Sequence, residues 1–388
     1  MATDVVVAGA GPAGTVAAIV LARAGARVRL VDRETFPRPK LCGDTLNPGA
    51  LATLRRLGLA ASIDVRALRL EGMILTGHGG ARVKGTYTSP HHGLAIRRSD
   101  LDASLLQAAV RAGVTFDDRV SVTGVVRRDR PGLREPAVVG VRVRSRSGLL
   151  DELTAPITIA ADGRRSVVAF SLGLARHPPR PRRYAIGAYF QDVDELSSFG
   201  EMHVRAGYYL GVAPLPGGLT NVCLVLPQER LAVVRLDAAA WLRHAITADP
   251  FLRDRFARAS MVAEPVVLGP LAVEVRRAGL HGLLLAGDAA GFIDPMTGDG
   301  LRFAIRGGEL AGRVAASALE TGDAGGAETR LARWRSREFS RKWTFNRGLR
   351  RLVGSAVAIR ALSASADLVA PLLRQTIAFA GDVPAAPA

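Results

Sequence analysis

Residues 4–14 read Asp4-Val-Val-Val-Ala8-Gly9-Ala-Gly11-Pro12-Ala13-Gly14, and this stretch decides the fold. Asp4 to Ala8 is a short buried-strand run, followed by glycines and an alanine-rich helix from about Pro12 to Ala24. Gly25 closes that helix, and Val28-Arg-Leu-Val31 supplies the next strand. A β-turn-α-β beginning implies a parallel sheet. Gly9 permits the tight turn, Gly11 lets a pyrophosphate approach the backbone, and Gly14 lets the helix pack closely on the strand. The helix N-terminus that opens at Pro12 and Ala13 then offers free N–H groups, from Ala13 onward, and a positive dipole to phosphates. Asp32 ends the second strand, next to Arg33, where a carboxylate can accept hydrogen bonds from a ribose diol. The unit predicts a bound dinucleotide without saying which.

Outward from this turn, the length of 388 residues exceeds what a single core usually supports, so two lobes are expected. The chain is 48% hydrophobic and 22% charged, a globular balance. Only two cysteines occur, Cys42 and Cys223, with no C-x-x-C pair. This excludes a disulfide framework and a multi-cysteine zinc site, predicts no metal, and fits a reducing cytoplasm. No stretch has the roughly 18 uninterrupted apolar residues of a membrane span. The net charge of +17 is carried almost wholly by arginine, since lysine occurs only at Lys40, Lys84 and Lys342. Such a skew reflects either coding composition or a surface for anionic partners. Nucleic acid is not expected, because no recognisable nucleic-acid module accompanies the charge.

Further strand–turn signals lie at Ile157–Ala161 before Asp162-Gly163 and at Leu283–Ala286 before Gly287-Asp288. Residues 95–112 and 301–319 read as helices. Tyr184–Phe190, Met202–Val212 and Asn221–Leu226 read as strands of an antiparallel sheet inserted into the parallel one. Beyond about residue 326 the chain is helical and basic, with a short tail at 384–388.

Asp162-Gly163-Arg-Arg-Ser166 and Gly287-Asp288-Ala-Ala-Gly291 resemble the DG and GD fingerprints of the p-hydroxybenzoate hydroxylase and geranylgeranyl reductase superfamily of flavoproteins. Arg98-Ser-Asp-Leu-Asp102 resembles the arginine element between them. The resemblance covers residues 4 to about 315 and implies FAD. The implied fold is α/β (α+β): an FAD-binding Rossmann-like domain of three ββα layers, an inserted antiparallel-sheet substrate domain and a helical C-terminal region. The corresponding boundaries are 1–72, 95–172 and 270–325 for the FAD-binding domain, 73–94 and 173–269 for the substrate domain, and 326–388 for the helices.

By the same resemblance Asp162 and Gly163 brace the dinucleotide, Arg98 reaches its phosphate–ribose region, and Asp288 binds the ribityl hydroxyls. Pro295, Gly298, Asp299, Gly300 and Leu301 form the loop and helix start facing the flavin ring, where helix amides stabilise negative charge. Phe36-Pro-Arg-Pro-Lys40-Leu-Cys42-Gly43-Asp44 resembles a stretch of geranylgeranyl reductases that lies beside the flavin. Cys42 is then either an acid near the substrate or a small buried residue, and Cys42, Pro295, Gly298 and Gly300 are the expected catalytic positions.

No second dinucleotide turn exists, so NAD(P)H docks transiently or a separate reductase supplies electrons. Tyr209-Leu-Gly-Val-Ala-Pro214 lacks both tryptophans of the flavin-dependent halogenase motif. A reductase is preferred, an FAD monooxygenase using O2 is the alternative, and a non-redox flavin-containing protein is the reading from another class. Tyr189, Tyr209 and Val212 are the expected pocket wall for a hydrophobic prenyl, polyketide or quinone-like molecule. The aromatic and basic residues from Trp334 to Arg351 read either as a helical cap with buried aromatics or as a peripheral helix on the inner face of a membrane. Oligomeric state is not legible.

Overall fold

The computed structural model describes residues 2–40, 44–180 and 182–383. β1 (Val5–Ala8), α1 (Pro12–Arg23) and β2 (Val28–Val31) form where the glycine turn predicts them. They are followed by α2 (Pro48–Arg56), β3 (Gly72–Thr76), β4 (Arg82–Thr86) and α3 (Arg98–Arg111). β5 (Thr115–Asp117), β6 (Ser121–Arg128), β7 (Ala137–Arg144), β8 (Leu150–Thr154) and β9 (Ile157–Ala160) come next.

The central sheet runs in the order 279–280, β14 (Leu283–Leu285), β9, β1, β2, β5. Its members are parallel except for the short edge strand at 279–280. Alternation of side chains explains the three layers. Val5 and Val7 face a cluster with Val16 and Leu105 of the helices, whereas Val6 packs with Val141 and Leu153 of the β6–β7–β8 meander. Both sheet faces are therefore covered, which is why the strand reads as unbroken valine.

β10 (Arg183–Gln191), β11 (Phe199–Arg205), β12 (Tyr208–Leu215) and β13 (Leu219–Pro227) belong to an eight-stranded sheet that also holds β3 and β4. The expected single strand Met202–Val212 is in fact two, turned at Ala206-Gly207, where Gly207 has φ +87°. The sheet is also not wholly antiparallel, because β11 pairs with β3 in parallel. α4 (Ala238–Thr247) covers its outer face.

α5 (Gly300–Glu320) lies against α1 at a crossing made close by glycine. A Cβ at Gly308 would overlap the carbonyl oxygen of Ala13 and lie 3.0 Å from its Cα. One turn on, a Cβ at Gly312 would meet Ala17 O at 2.9 Å. The C-terminal region is three helices: α6 (Ala327–Val353), α7 (Ala356–Ala364) and α8 (Ala366–Gly381). Among the described residues no helix is long and apolar enough to cross a membrane.

Candidate active site at the carboxyl ends of the parallel strands

Strand order brings the sequence motifs to one edge. Gly9 follows β1, Asp32 follows β2, Asp162 follows β9 and Asp288 follows β14, all at carboxyl ends, where open α/β sheets bind ligands. Gly9 has φ +101°, and a Cβ there would overlap Ala161, so only glycine fits. The Asp32 carboxylate accepts from Ala10 N–H at 2.7 Å and Glu34 N–H at 3.0 Å, holding the turn open while leaving lone pairs for a ligand. Arg33 points to solvent and pairs with Glu34. Pro12 and Ala13 open α1 as expected, and Ala13 packs against Gly287, which needs φ +61°.

Arg98 is buried and gives Nε and Nη2 to the two oxygens of Asp102, each at 2.8 Å. Arg38 also reaches Asp102, and its Nη2 would lie 3.4 Å from a Cβ at Gly11. Arg38 is thus the cation standing over the glycine turn, a residue the motif reading quoted without assigning. Asp162 caps the helix start at Val167 through Val168 N–H, its second oxygen is buried without a partner, and burial raises its pKa. Gly163 follows with φ +82°. The half-buried Asp288 carboxylate makes no hydrogen bond among the described residues.

At the other end, Asp294 receives Met296 N–H, Tyr209 O–H at 2.5 Å and Arg183 Nη1 at 3.1 Å. This buried trio ties the loop from Pro295 to Gly300 to β10 and β12, and burial with the neighbouring carboxylate drives the Tyr209 pKa up. Gly298 is left-handed at φ +67°, and a Cβ at Gly300 would come within 3.4 Å of Phe292. Leu301 is buried in the first turn of α5. The Thr297 hydroxyl is buried without a partner. Glycines that leave room for a ligand, an open Asp288 carboxylate and an unpartnered hydroxyl in the loop fit an FAD laid from Gly11 to Gly300.

Asp299 departs from expectation. Its side chain is fully buried and turned away from this cleft, taking hydrogen bonds from Asn47 Nδ2 at 3.0 Å, Lys342 Nζ at 3.1 Å and Asn346 Nδ2 at 3.3 Å. Lys342 also donates to Ala380 O at 2.7 Å and pairs with Asp382 at 3.2 Å. The reason is that a carboxylate so buried must be matched by donors, and α6 supplies them. Val212 departs too. Residues alternate along β12, so Val212 faces Leu242 and Ile246 of α4, while Tyr209 faces the cleft loop. Cys42 and Gly43 lie outside the described residues.

Asp44, just beyond them, is the titratable group that sequence reading passed over. It is 3% exposed and accepts from Arg98 N–H at 2.9 Å, Tyr189 O–H at 3.1 Å and the Asn221 amide. Burial pushes its carboxyl up to about 6, against the pull of Arg98 and the two side-chain donors. The folded value lies above the unfolded value of about 4. The native state therefore holds the proton more tightly, and stability falls as pH rises between those values. Asp44→Asn is expected to remove this slope; thermal melts of both proteins from pH 4 to 7 check it, and parallel profiles would refute it. His203, by contrast, is buried on the far sheet face between Thr76 and Glu201.

The model of the FAD binding domain family matches residues 2–330. The chain belongs to this family. Among its relatives, this FAD-binding protein is 32% identical to the menaquinone reductase of Mycolicibacterium smegmatis, over 87% of this chain and 82% of that one. It is 31% identical to digeranylgeranylglycerophospholipid reductase 1 of Methanothermobacter thermautotrophicus, over 82% and 78%. Among solved structures, the myxobacterial chondrochloren halogenase superimposes with a TM-score of 0.81 at 24% identity, covering 90% of this chain and 82% of that one. A geranylgeranyl bacteriochlorophyll reductase-like protein of Thermoplasma acidophilum gives 0.77 at 22%, covering 98% and 91%. At such identities these two show the shared fold alone. This family member is an FAD-dependent oxidoreductase.

Proposed function

We propose that the protein is an FAD-dependent reductase that saturates carbon–carbon double bonds in a polyprenyl lipid. The observation that carries this is a cavity of about 140 Å³ between the sheet and the C-terminal helices. Leu75 and Met202 form its floor, Leu349 and Ile377 its roof, and it reaches Met296 and Thr297 of the cleft loop. A narrow apolar space ending at that loop suits a hydrocarbon chain, and the reductases similar to this chain are named for substrates that carry such chains.

FAD, when bound, supplies the hydride equivalent. The chain's own part is to hold the cofactor between Arg38 and the Gly298–Gly300 turn, to exclude water with the cavity walls, and to keep a protonatable carboxyl at Asp44 near the loop. In this reading Gly9, Gly11, Gly14, Asp32, Arg98 and Asp288 grip the cofactor, residues 73–94 and 173–269 face the substrate, and Cys42 is the second acid to test. NAD(P)H or a separate reductase provides the electrons. A polyprenyl substrate resides in bilayers, and peripheral contact with a membrane is one route by which it would reach the cavity.

The test is anaerobic incubation of the yellow protein, reduced with NADPH or dithionite, with polyprenyl quinones and polyprenyl glycerolipids, followed by mass spectrometry. The expected product gains one H2 per bond reduced. A product that forms only with oxygen and carries an added oxygen atom would overturn the proposal in favour of a monooxygenase.

A further inference from the structure

The aromatic and basic stretch of α6 is divided in a way sequence alone did not resolve. Phe339, Arg335 and Lys342 are turned inward, Arg335 donating to Ala290 O at 2.8 Å. The opposite face holds Arg333, Arg337, Arg341, Arg347 and Arg351, all exposed. At about 100° per residue they fall within roughly a third of the helix circumference. Ser340, Thr344 and Gly348 occupy the same arc together with the partly buried Arg330, so the arc carries these five exposed cations and no carboxylate. Among the described residues none of the five is ion-paired, unlike Arg302 and Arg306 of α5, which share Glu338.

The chain then changes character. Residues 355–381 contain only Arg360, Asp367 and Arg374 as charged residues. α8 is apolar on two sides. Leu373, Thr376, Ile377 and Ala380 line the cavity, while Leu368 and Leu372, one turn apart, are 86% and 60% exposed. Phe379, 38% exposed, continues their stripe, and Val357 of α7 is 76% exposed. Large aliphatic side chains this exposed, and an unpaired cationic stripe on the helix that precedes them, are the two components of an interfacial surface.

We propose that the arginine face of α6 and the outer side of α7 and α8 seat together on an anionic phospholipid bilayer, placing the cavity's helical roof against the lipid. The identity of what enters rests on the polyprenyl reading; the docking stands on exposure and charge.

The full chain with FAD is sedimented with vesicles of equimolar phosphatidylglycerol and phosphatidylcholine, and with phosphatidylcholine alone. We expect binding to the first, much weaker binding to the second, and release by high salt. Leu368→Glu with Leu372→Glu is expected to weaken binding by at least about tenfold, since charges replace the inserting side chains. Arg333→Ser, Arg337→Ser and Arg341→Ser together are expected to weaken it at least about tenfold on anionic vesicles only. Both variants should keep the flavin absorbance and reduce a detergent-solubilised polyprenyl substrate as the parent does. Vesicle binding that ignores lipid charge and both variants, or no sedimentation at all, would overturn the proposal. So would a dimer that Leu368→Glu with Leu372→Glu dissociates while the parent ignores vesicles, because a second copy would then cover this face. A protein that works in detergent but never sediments refutes the docking and leaves the reductase reading standing; one that sediments without reducing does the reverse.

Discussion

Gly308→Ala is expected to leave the protein with little retained FAD and a stability loss of about 2–3 kcal/mol or more. A single methyl group at this position would be driven into backbone, the carbonyl of Ala13 and its Cα, with no flexible side-chain end to yield. Relief requires α5 to move away from α1. That motion separates the two helix N-termini, one opening at Pro12 and one at Gly300, between which the proposed FAD site lies. Gly348→Ala is the matched control. It also lies within a helix, but it is exposed and has nothing within 4 Å of a new Cβ. There alanine should gain about 0.5–1 kcal/mol from helix propensity and unfolded-state entropy. Chemical denaturation with the flavin absorbance ratio measures both. Equal behaviour of the two variants would show that the helix crossing is not tight.

Asp294→Ala is the second large effect. It leaves the Arg183 guanidinium, 9% exposed, without its carboxylate and the Tyr209 hydroxyl without its acceptor. Breaking one partner from a buried ion pair costs about 3–5 kcal/mol, because the remaining charge stays desolvated. Arg183 retains a hydrogen bond to Arg350 O at 3.1 Å, which compensates only in part. Beyond stability, Met296 and Pro295 lose their anchor to the sheet, so FAD affinity should fall as well. Tyr209→Phe removes the hydroxyl while keeping the ion pair, and its cost should be about 1–2 kcal/mol. Thermal melts and FAD titration of the three proteins order these effects. An Asp294→Ala protein no worse than Tyr209→Phe would show that the ion pair contributes nothing.

What could be read from the sequence was whatever is written locally. The glycine turn, Asp32, the two strand ends at Asp162 and Asp288 and the helix start at Gly300 each combine a turn, a cap and a period within a few residues. A parallel sheet followed from them, though not the order of its strands. Less legible were groups whose meaning lies in a distant partner. Asp299 looked like a cofactor contact because it sits in the loop, yet its charge is matched by Lys342, 43 residues on, and by Asn47. Asp294 and Arg183 meet across 111 residues, and no spacing announces it. Val212 and Tyr209 cannot share a pocket wall, because they lie three positions apart on one strand and alternation sends them to opposite faces. Asp44 could have been found: a carboxylate directly after the Cys42-Gly43 pair was in view, but its burial was not.

The cavity's two walls have different relations to the cofactor. Its floor, Leu75 and Met202, belongs to a sheet whose neighbouring strand β12 is bonded through Tyr209 to the cleft loop. Its roof comes from the C-terminal helices, Leu349 from α6 and Leu373 and Ile377 from α8, and α6 hydrogen-bonds the cleft loop by its other side chains, Lys342 and Asn346 donating to Asp299. On the proposed polyprenyl reading, the side chains that would set substrate length and those that would hold the cofactor are therefore different residues. A lineage carrying this scaffold can lengthen or shorten the molecule it accepts by drifting through roof side chains, while the residues that hold the cofactor stay under a separate constraint.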